Sequence, residues 1–198
     1  DPRVELADDI LFASQRAASL TSQLLAFTKQ QVLDPRLIDL NGLVHNLSKM
    51  LVRVIGEDVR LETKLLAAPA TVLLDPGELE QALLNLAINA RDAMAQGGQL
   101  LIESSNSSGG TKGKEHGAAY VVLRVKDTGA GMSDEVKERI FDPFFTTKEA
   151  GHGTGLGLST VYAMVEQAGG YIEVDTELGR GTEIRIAFPV ADGDLEQE

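Results

Sequence analysis

The sequence contains no cysteine and no tryptophan. Without cysteine the chain has neither disulfides nor thiolate metal sites, a composition that is compatible with a reducing cytoplasm. It also lacks a run of about 18 apolar residues, the length that a membrane-spanning helix needs, and it has no basic and apolar export signal at its start. These absences predict a cytoplasmic domain that makes no direct contact with a membrane.

Positive charge is also scarce, because 18 Lys and Arg residues face 30 Asp and Glu residues and leave a net charge of −12. Nucleic-acid binding needs clustered Lys and Arg, so the composition argues against it. A bound polyphosphate would need local donors or a metal to overcome this field. The 198 residues, 43% of them apolar, suit one domain with an appendage. Because the first residue is Asp1, we expect a piece of a longer protein.

The segment "GHGTGLGL", residues 151–158, has glycine at every second position and runs into an apolar, helix-like stretch. Glycine at this density indicates a close approach of the backbone, often to phosphate. The spacing does not fit Gly-x-Gly-x-x-Gly, and the only Gly-Lys pair, Gly113-Lys114, is followed by Glu115. The segment is therefore neither a dinucleotide fingerprint nor a P-loop.

The first 34 residues carry a heptad pattern. Its apolar positions are Leu6, Ile10, Ala13, Ala17, Leu20, Leu24 and Phe27. The pattern predicts a long helix that either pairs with a helix outside the domain, which we favour, or lies on its own domain. Pro35 makes a natural boundary.

From residue 35 to residue 190, alternating and helical apolar patterns follow one another, and they predict an α+β domain. We expect a two-layer α/β sandwich, with a mixed sheet covered by helices on one face. Asn41 is predicted to cap a helix that runs to about Ile55, and Pro76 to open one that runs to about Met94. Residues 106–117 are interpreted as an exposed loop, and residues 191–198 as a disordered acidic tail.

Two asparagines, Asn85 and Asn89, lie four residues apart and share one face of the helix that begins at Pro76. Burying two amides among leucines is costly unless both find partners. Either they cap a neighbouring loop, or they supply neutral oxygen ligands to a hard cation such as Mg²⁺.

An apolar strand leads into Asp127, with Gly129 and Gly131 after it. A carboxylate at this position either accepts a hydrogen bond from an exocyclic amine or belongs to an ordinary turn. The following stretch, "IFDPFFTTK", holds three of the six phenylalanines and is interpreted as a hinge packed on the core. Its last residue, Lys148, either reaches a phosphate or is simply exposed.

Taken in order, these four elements closely resemble the GHKL superfamily and, within it, the catalytic ATP-binding domain of sensor histidine kinases, especially the nitrogen-regulator and hybrid kinases. Residues 85–93 are similar to the N box of that family, residues 127–132 to its G1 box, residues 141–148 to its F box and residues 153–158 to its G2 box. The heptad helix resembles the second helix of the dimerisation and phosphotransfer hairpin. The resemblance implies the Bergerat-type ATP-binding fold.

The resemblance also implies the ligands and their residues. Asp127 would hold the adenine amine with Thr182 beside it, Asn89 and Asn85 would hold Mg²⁺ against the phosphates of ATP, and residues 133–153 would form a lid. The nucleotide-binding residues that it implies are Asn85, Asn89, Arg91, Asp92, Asp127, Gly129, Gly131, Met132, Lys148, Gly153, Thr154, Gly155, Leu156, Gly157, Leu158 and Thr182. Asn85, Asn89 and Lys148 would serve catalysis.

The sequence departs from the family pattern in three ways. None of His45, His116 and His152 lies in the pattern of a phosphoacceptor, so we expect the acceptor on a hairpin helix outside this chain. Many kinases carry Lys and Tyr where this chain has Asp92 and Ala93, and Arg91 either supplies the missing charge or lies on a solvated helix face.

The third departure is Asn85, which stands where hydrolytic relatives carry a glutamate base and so favours phosphoryl transfer. We therefore expect a histidine kinase domain whose parent forms a homodimer and passes the phosphoryl group to a response-regulator receiver domain. The alternatives are a hydrolytic GHKL ATPase and a non-catalytic, nucleotide-responsive dimerisation module.

Overall fold

The computed structural model describes residues 34–108, 119–148, 153–191 and 193. The elements in chain order are β1 (Arg36–Asp39), α1 (Leu40–Ile55), β2 (Val59–Leu65), β3 (Thr71–Leu74), α2 (Pro76–Ala93), β4 (Gly98–Ser108), β5 (Ala119–Asp127), α3 (Asp134–Lys137), α4 (Gly157–Gln167), β6 (Tyr171–Glu177) and β7 (Gly181–Pro189). The predicted heptad helix lies outside the described residues, as do most of the predicted 106–117 loop and most of the acidic tail. The loop prediction is wrong for residues 106–108, because they pair with β5 and extend β4.

The main sheet has five strands in the order β2-β4-β5-β7-β6. Strands β2 and β4 are parallel and the other neighbours are antiparallel, so the sheet is mixed. Strands β1 and β3 form a separate antiparallel pair. This architecture confirms the predicted α+β fold.

One face of the sheet is buried under the helices. Along β5 the buried residues Val121, Leu123 and Val125 alternate with the more exposed Val122, Arg124 and Lys126. In register with them on β7 lie Phe188, Ile186 and Ile184, which are also buried. Helix α2 contacts both α1 and α4, and the three helices contact the strands beneath them. The period of two along each strand thus separates a helix-covered face from a charged face.

The charged face carries a network of ion pairs centred on Glu183. The carboxylate of Glu183 lies 2.6 Å from Arg185 Nη2, 3.3 Å from Lys126 Nζ and 3.5 Å from Arg124 Nη1. Burial alone would raise the pKa of Glu183, but the hydrogen bonds and charges of these cations outweigh it and lower that pKa.

Helix α1 begins two residues earlier than the sequence predicts. Asp39 is its N-cap, because its Oδ1 accepts a hydrogen bond from the Asn41 N–H at 3.0 Å. The prediction that Asn41 caps this helix is therefore wrong. The Asn41 side chain instead donates to the Ala67 carbonyl at 2.9 Å and accepts from Ser104 Oγ at 2.6 Å, which ties α1 to the sheet.

Helix α2 begins as predicted at Pro76, after the N-cap Asp75, whose Oδ1 accepts from the N–H groups of Gly77 and Glu78. Its inner face is apolar, with Leu79, Leu83, Leu86 and Ala90 among its buried residues. Asn85 and Asn89 lie beside this face and are half-buried. The helix therefore presents two amides at the edge of the core.

Candidate nucleotide-binding site

The carboxylate of Asp127 lies at the end of β5 and is held in place by backbone donors. Its residue is 7% exposed, and its Oδ1 accepts hydrogen bonds from the N–H of Gly129 at 2.8 Å and from the N–H of Thr182 at 3.2 Å. The described contacts of this carboxylate all involve Oδ1. The second oxygen, Oδ2, is thus available to accept a hydrogen bond from a ligand.

Burial raises the pKa of Asp127, and the hydrogen bonds from Gly129 and Thr182 offset this effect only in part. The ionised carboxylate is therefore costly in the folded protein unless a further donor reaches it. An amine at the free oxygen would supply that donor.

Thr176 of β6 completes this end of the site. Its Oγ1 accepts a hydrogen bond from the Met132 N–H at 3.0 Å, donates to the Gly181 carbonyl at 3.0 Å and lies 3.0 Å from Thr182 Oγ1. The hydroxyl therefore connects the loop after β5 to β6 and β7.

The loop after β5 approaches its neighbours so closely that it requires glycine. Gly131 has φ +65°, and a Cβ there would overlap the Glu177 carbonyl oxygen. A Cβ on Gly129 would lie 2.7 Å from the Ala93 carbonyl oxygen. The Ala130 N–H donates to that same carbonyl at 3.0 Å, so the loop is fixed against the end of α2.

The polar face of α2 contacts the beginning of α4. Asn85 Nδ2 donates to the Gly157 carbonyl at 3.3 Å, and Asn85 Oδ1 accepts from Gln81 Nε2 at 3.2 Å. Asn85 thus ties α2 to α4 in this structure.

Asn89 faces a cation. The ammonium of Lys148 lies 3.4 Å from Asn89 Oδ1 and 2.6 Å from Asp92 Oδ2. Burial alone would raise the pKa of Asp92, but the hydrogen bonds from Lys148 and Arg91 and their charges lower it overall. The oxygens of Asn89 and Asp92 therefore form a small cation-binding position on α2.

Arg91 points in another direction. Its Nη1 donates to the Val54 carbonyl in the last turn of α1 at 3.1 Å, and its Nε and Nη2 donate to Asp92 Oδ1 at 3.0 and 2.7 Å. The guanidinium therefore connects α1 to Asp92, and the role implied for Arg91 in nucleotide binding stays a prediction.

The N-terminus of α4 has no side-chain cap. Its first turn contains no acidic residue, and Gly157 packs against the Asn85 side chain. The first-turn N–H groups of a helix carry partial positive charge and favour anions. Leu156 is buried and Leu158 packs against the core, so the two leucines anchor this turn.

The phenylalanine-rich stretch is pinned to the glycine-rich segment. The Phe144 N–H donates to the Gly155 carbonyl at 3.0 Å, and Gly155, with φ +67°, leaves no room for a Cβ against the Phe144 carbonyl. Phe144 itself is 65% exposed with φ +67°. The prediction that this stretch packs on the core is therefore wrong for Phe144, and neither Phe141 nor Phe145 belongs to the core cluster.

A comparison with known protein families matches residues 74–192 to a family described as the histidine kinase-, DNA gyrase B-, and HSP90-like ATPase. The chain belongs to this ATPase family. The matched range contains Asp127, the polar face of α2 and the glycine-rich segment, whereas Val54, whose carbonyl accepts from Arg91, lies before it.

The chain is similar to the sensor kinase CckA of Brucella abortus, with 45% identity over 181 residues. The alignment covers 89% of this chain and 19% of CckA. The chain is also 33% identical over 187 residues to the sensor histidine kinase ZraS of Escherichia coli K12, covering 94% of this chain and 38% of that protein. The chain therefore spans about a fifth of the length of the first relative and about two fifths of the second.

A solved structure of full-length ShkA in complex with AMPPNP is also similar, with TM-score 0.73, 29% identity and coverage of 93% of this chain and 39% of that one. With the sensor kinases above, this places the chain among histidine kinase catalytic domains of the ATPase family. In the part of the chain that the structure describes, no helix has the length and apolarity to cross a membrane.

The structure brings most of the sequence-predicted residues into two groups. Asp127, Gly129, Gly131, Met132 and Thr182 lie at one end with Thr176. The other end holds Asn85, Asn89, Asp92, Lys148 and the α4 segment, where Gly153 packs against Thr146 and Lys148, and the Leu156 N–H lies 3.4 Å from Thr154 Oγ1. Sequence reasoning missed Thr176, because a threonine in a strand gives no signal of its own.

Proposed function

We propose that this domain binds ATP with its adenine at Asp127 and its phosphates between α2 and the N-terminus of α4, and transfers the γ-phosphoryl group to a histidine. The observation that carries the proposal is the buried Asp127 carboxylate, whose hydrogen bonds within the described residues all involve Oδ1, on the same family domain as the cation-binding face of α2. The adenine amino group would donate to the other oxygen, Oδ2.

The residues present fit a magnesium ion. Asn89 Oδ1 already contacts a cation, the Lys148 ammonium, and amide oxygens are among the ligands that Mg²⁺ accepts. Among the described residues no cluster of three or more His, Asp or Glu could hold a metal alone, so phosphates and water would complete the coordination. When bound, Mg²⁺ would neutralise phosphate charge. We infer that Asn89 is its main protein ligand, with Asn85 nearby.

Phosphoryl transfer asks the protein mainly to position its reactants and to neutralise charge. Here Asp127 would orient the base, the first turn of α4 would bind phosphate oxygens, and Lys148 would contact the γ-phosphate. Asn85 carries no basic carboxylate that could activate water, and its amide is occupied by Gly157 and Gln81. These residues favour transfer over hydrolysis.

The phosphoacceptor would be a histidine on a hairpin helix. In the full-length protein we expect a homodimer that passes the phosphoryl group to a response-regulator receiver domain. We place the reaction in the cytoplasm, where ATP is available.

The direct test incubates the chain with γ-labelled ATP and a separate hairpin protein that carries the acceptor histidine. Acid-labile, base-stable label on that hairpin, and none on a hairpin with His replaced by Gln, is the expected result. Release of labelled inorganic phosphate without labelled hairpin would indicate a hydrolytic ATPase. Binding of ATP with neither product would indicate a nucleotide-responsive module.

The magnesium ligand is tested with Asn89→Asp in the same assay. The added charge should change the metal preference and lower Mg²⁺-dependent transfer. Asn46→Asp, an exposed asparagine of α1, is the matched control. Unaltered Mg²⁺-dependent transfer by Asn89→Asp would refute the role of Asn89.

A further inference from the structure

Lys148 and Asp92 form an ion pair at the phosphate end of the site. Their N–O distance is 2.6 Å, and their side chains are 32% and 28% exposed. Fifty-six residues separate them in the chain, so the fold brings the pair together. Because Asn89 and Asp92 lie three residues apart on α2, their oxygens share one face and both reach the same ammonium.

Asp92 is itself fixed by a second cation. Its Oδ1 accepts from Arg91 Nε and Nη2, while its Oδ2 accepts from Lys148. Arg91 is in turn held by the Val54 carbonyl at the end of α1. The two oxygens of Asp92 therefore have different partners, and Asp92 can release Lys148 without losing Arg91.

This arrangement opposes a nucleotide that arrives without a metal. Phosphate oxygens carry negative charge and would be repelled by the Asp92 carboxylate, while the Asp92 carboxylate competes with them for Lys148. A divalent cation bound to the phosphates is attracted by the Asp92 carboxylate and so offsets the repulsion between that carboxylate and the phosphates. Lysine suits such an exchange because its ammonium is a compact charge on a flexible stem.

We propose that Asp92 is a positioning residue that holds Lys148 against Asn89 and thereby makes nucleotide binding depend on a divalent cation. The proposal rests on the proposed function of the site. In this proposal Asp92 controls the position of Lys148 and does not itself contact phosphate.

The test measures the dissociation constant of ATP by calorimetry, once with Mg²⁺ and once with EDTA. The proteins are the wild type, Asp92→Asn, Lys148→Met and the double variant. Asp92→Asn should strengthen binding of metal-free ATP by about tenfold, because the freed lysine can reach phosphate. It should change binding of Mg²⁺-ATP much less. In the Lys148→Met background the same change should have less than half of that effect on a logarithmic scale.

Two further variants separate positioning from general damage. Asp92→Glu keeps the charge that Asp92→Asn removes, so its ATP dissociation constant should depend on Mg²⁺ nearly as much as that of the wild type. Arg180→Met removes an exposed ion pair of the same 2.6 Å length and should leave both constants as in the wild type.

The proposal would be overturned if Asp92→Asn changed the dissociation constant of ATP equally with Mg²⁺ and with EDTA. It would also be overturned if Asp92→Asn had its full effect on that constant in the Lys148→Met background. In those cases ATP binding by the wild type would leave the proposed function intact. A wild type that binds no ATP under either condition would overturn both.

Discussion

At the scale of single residues, Asp127 combines two properties that oppose each other. It is buried, which disfavours its charge, and it accepts two backbone hydrogen bonds, which favour its charge. The cost of burial is the larger effect and raises the pKa of Asp127. The ionised carboxylate therefore destabilises the domain when no ligand is bound. Such a conflict between stability and local environment is typical of a binding residue.

Asp127→Asn should weaken ATP binding by about tenfold to a hundredfold, since a charge-assisted hydrogen bond to the adenine amine becomes a neutral one. Calorimetric titration with Mg²⁺-ATP measures the change. Asp175→Asn, an exposed carboxylate on β6, is the matched control and should bind as the wild type does. Wild-type affinity in Asp127→Asn would place the adenine elsewhere.

The same variant should alter the pH dependence of folding. Because burial raises the pKa of Asp127, the wild type loses stability as pH rises through that folded pKa, whereas an amide at this position has no charge to bury. Without nucleotide, the free energy of unfolding of Asp127→Asn minus that of the wild type should therefore grow from about pH 3 to pH 7. Urea unfolding across this range measures it, and a difference that shrinks with rising pH would contradict the pKa direction.

At the scale of elements, the site depends on loops that lie against strand ends without room for side chains. The chain that leads from β6 into β7 has two glycines in the left-handed region, and only the second of them lacks this room. Gly179 has φ +78° and open space around its missing Cβ, whereas Gly181 has φ +89° and a Cβ there would overlap the Asp127 carbonyl oxygen. The two positions therefore separate backbone strain from steric contact.

Gly179→Ala should destabilise the domain by about 1 to 2 kcal/mol, the usual cost of a left-handed residue with a Cβ. Gly181→Ala should cost more and should also weaken ATP binding, because the Asp127 backbone has to move. Urea unfolding and ATP titration of both variants test this. Equal effects of the two variants on ATP affinity would show that the contact at Gly181 does not position Asp127.

Elements were also what the sequence predicted best. The periods of α1, α2 and β5 are local properties, and the sequence correctly predicts the end of α1 near Ile55, the start of α2 at Pro76 and the end of β5 at Asp127. The cap of α1 was assigned wrongly because Asp39 and Asn41 are both good capping residues, and only the sheet, through Ser104, decides between them. Local pattern therefore fixes the element, while tertiary contact fixes its end.

At the scale of the whole molecule, the fold joins residues that are distant in sequence. Thr182 reaches Asp127 across 55 residues, and Lys148 reaches Asp92 across 56. No spacing in the sequence encodes either pair. Resemblance to a family suggested the first pair, and the second became visible only in the structure.

The ion pairs of the charged sheet face should contribute to stability in a pH-dependent way. Glu183→Gln should destabilise the domain by about 1 kcal/mol at neutral pH, with less effect in high salt. Because the pKa of Glu183 is lowered, its contribution is present above the unfolded pKa and is lost as pH falls through the folded pKa.

Urea unfolding at neutral and acidic pH measures this contribution, with Glu57→Gln at an exposed turn as the control. If Glu183→Gln lowered the free energy of unfolding equally at both pH values, its effect would come from packing and not from charge.

The turn at Leu178 offers a way to watch the site. Leu178 is 66% exposed, yet the neighbouring Gly179 N–H donates to the Ala130 carbonyl at 2.7 Å in the loop that follows Asp127. Because the chain has no cysteine, Leu178→Cys would carry one thiol and accept one fluorophore. A dye at this point would report on the loop that follows Asp127 without occupying the proposed base position, so a change in its fluorescence would follow nucleotide binding.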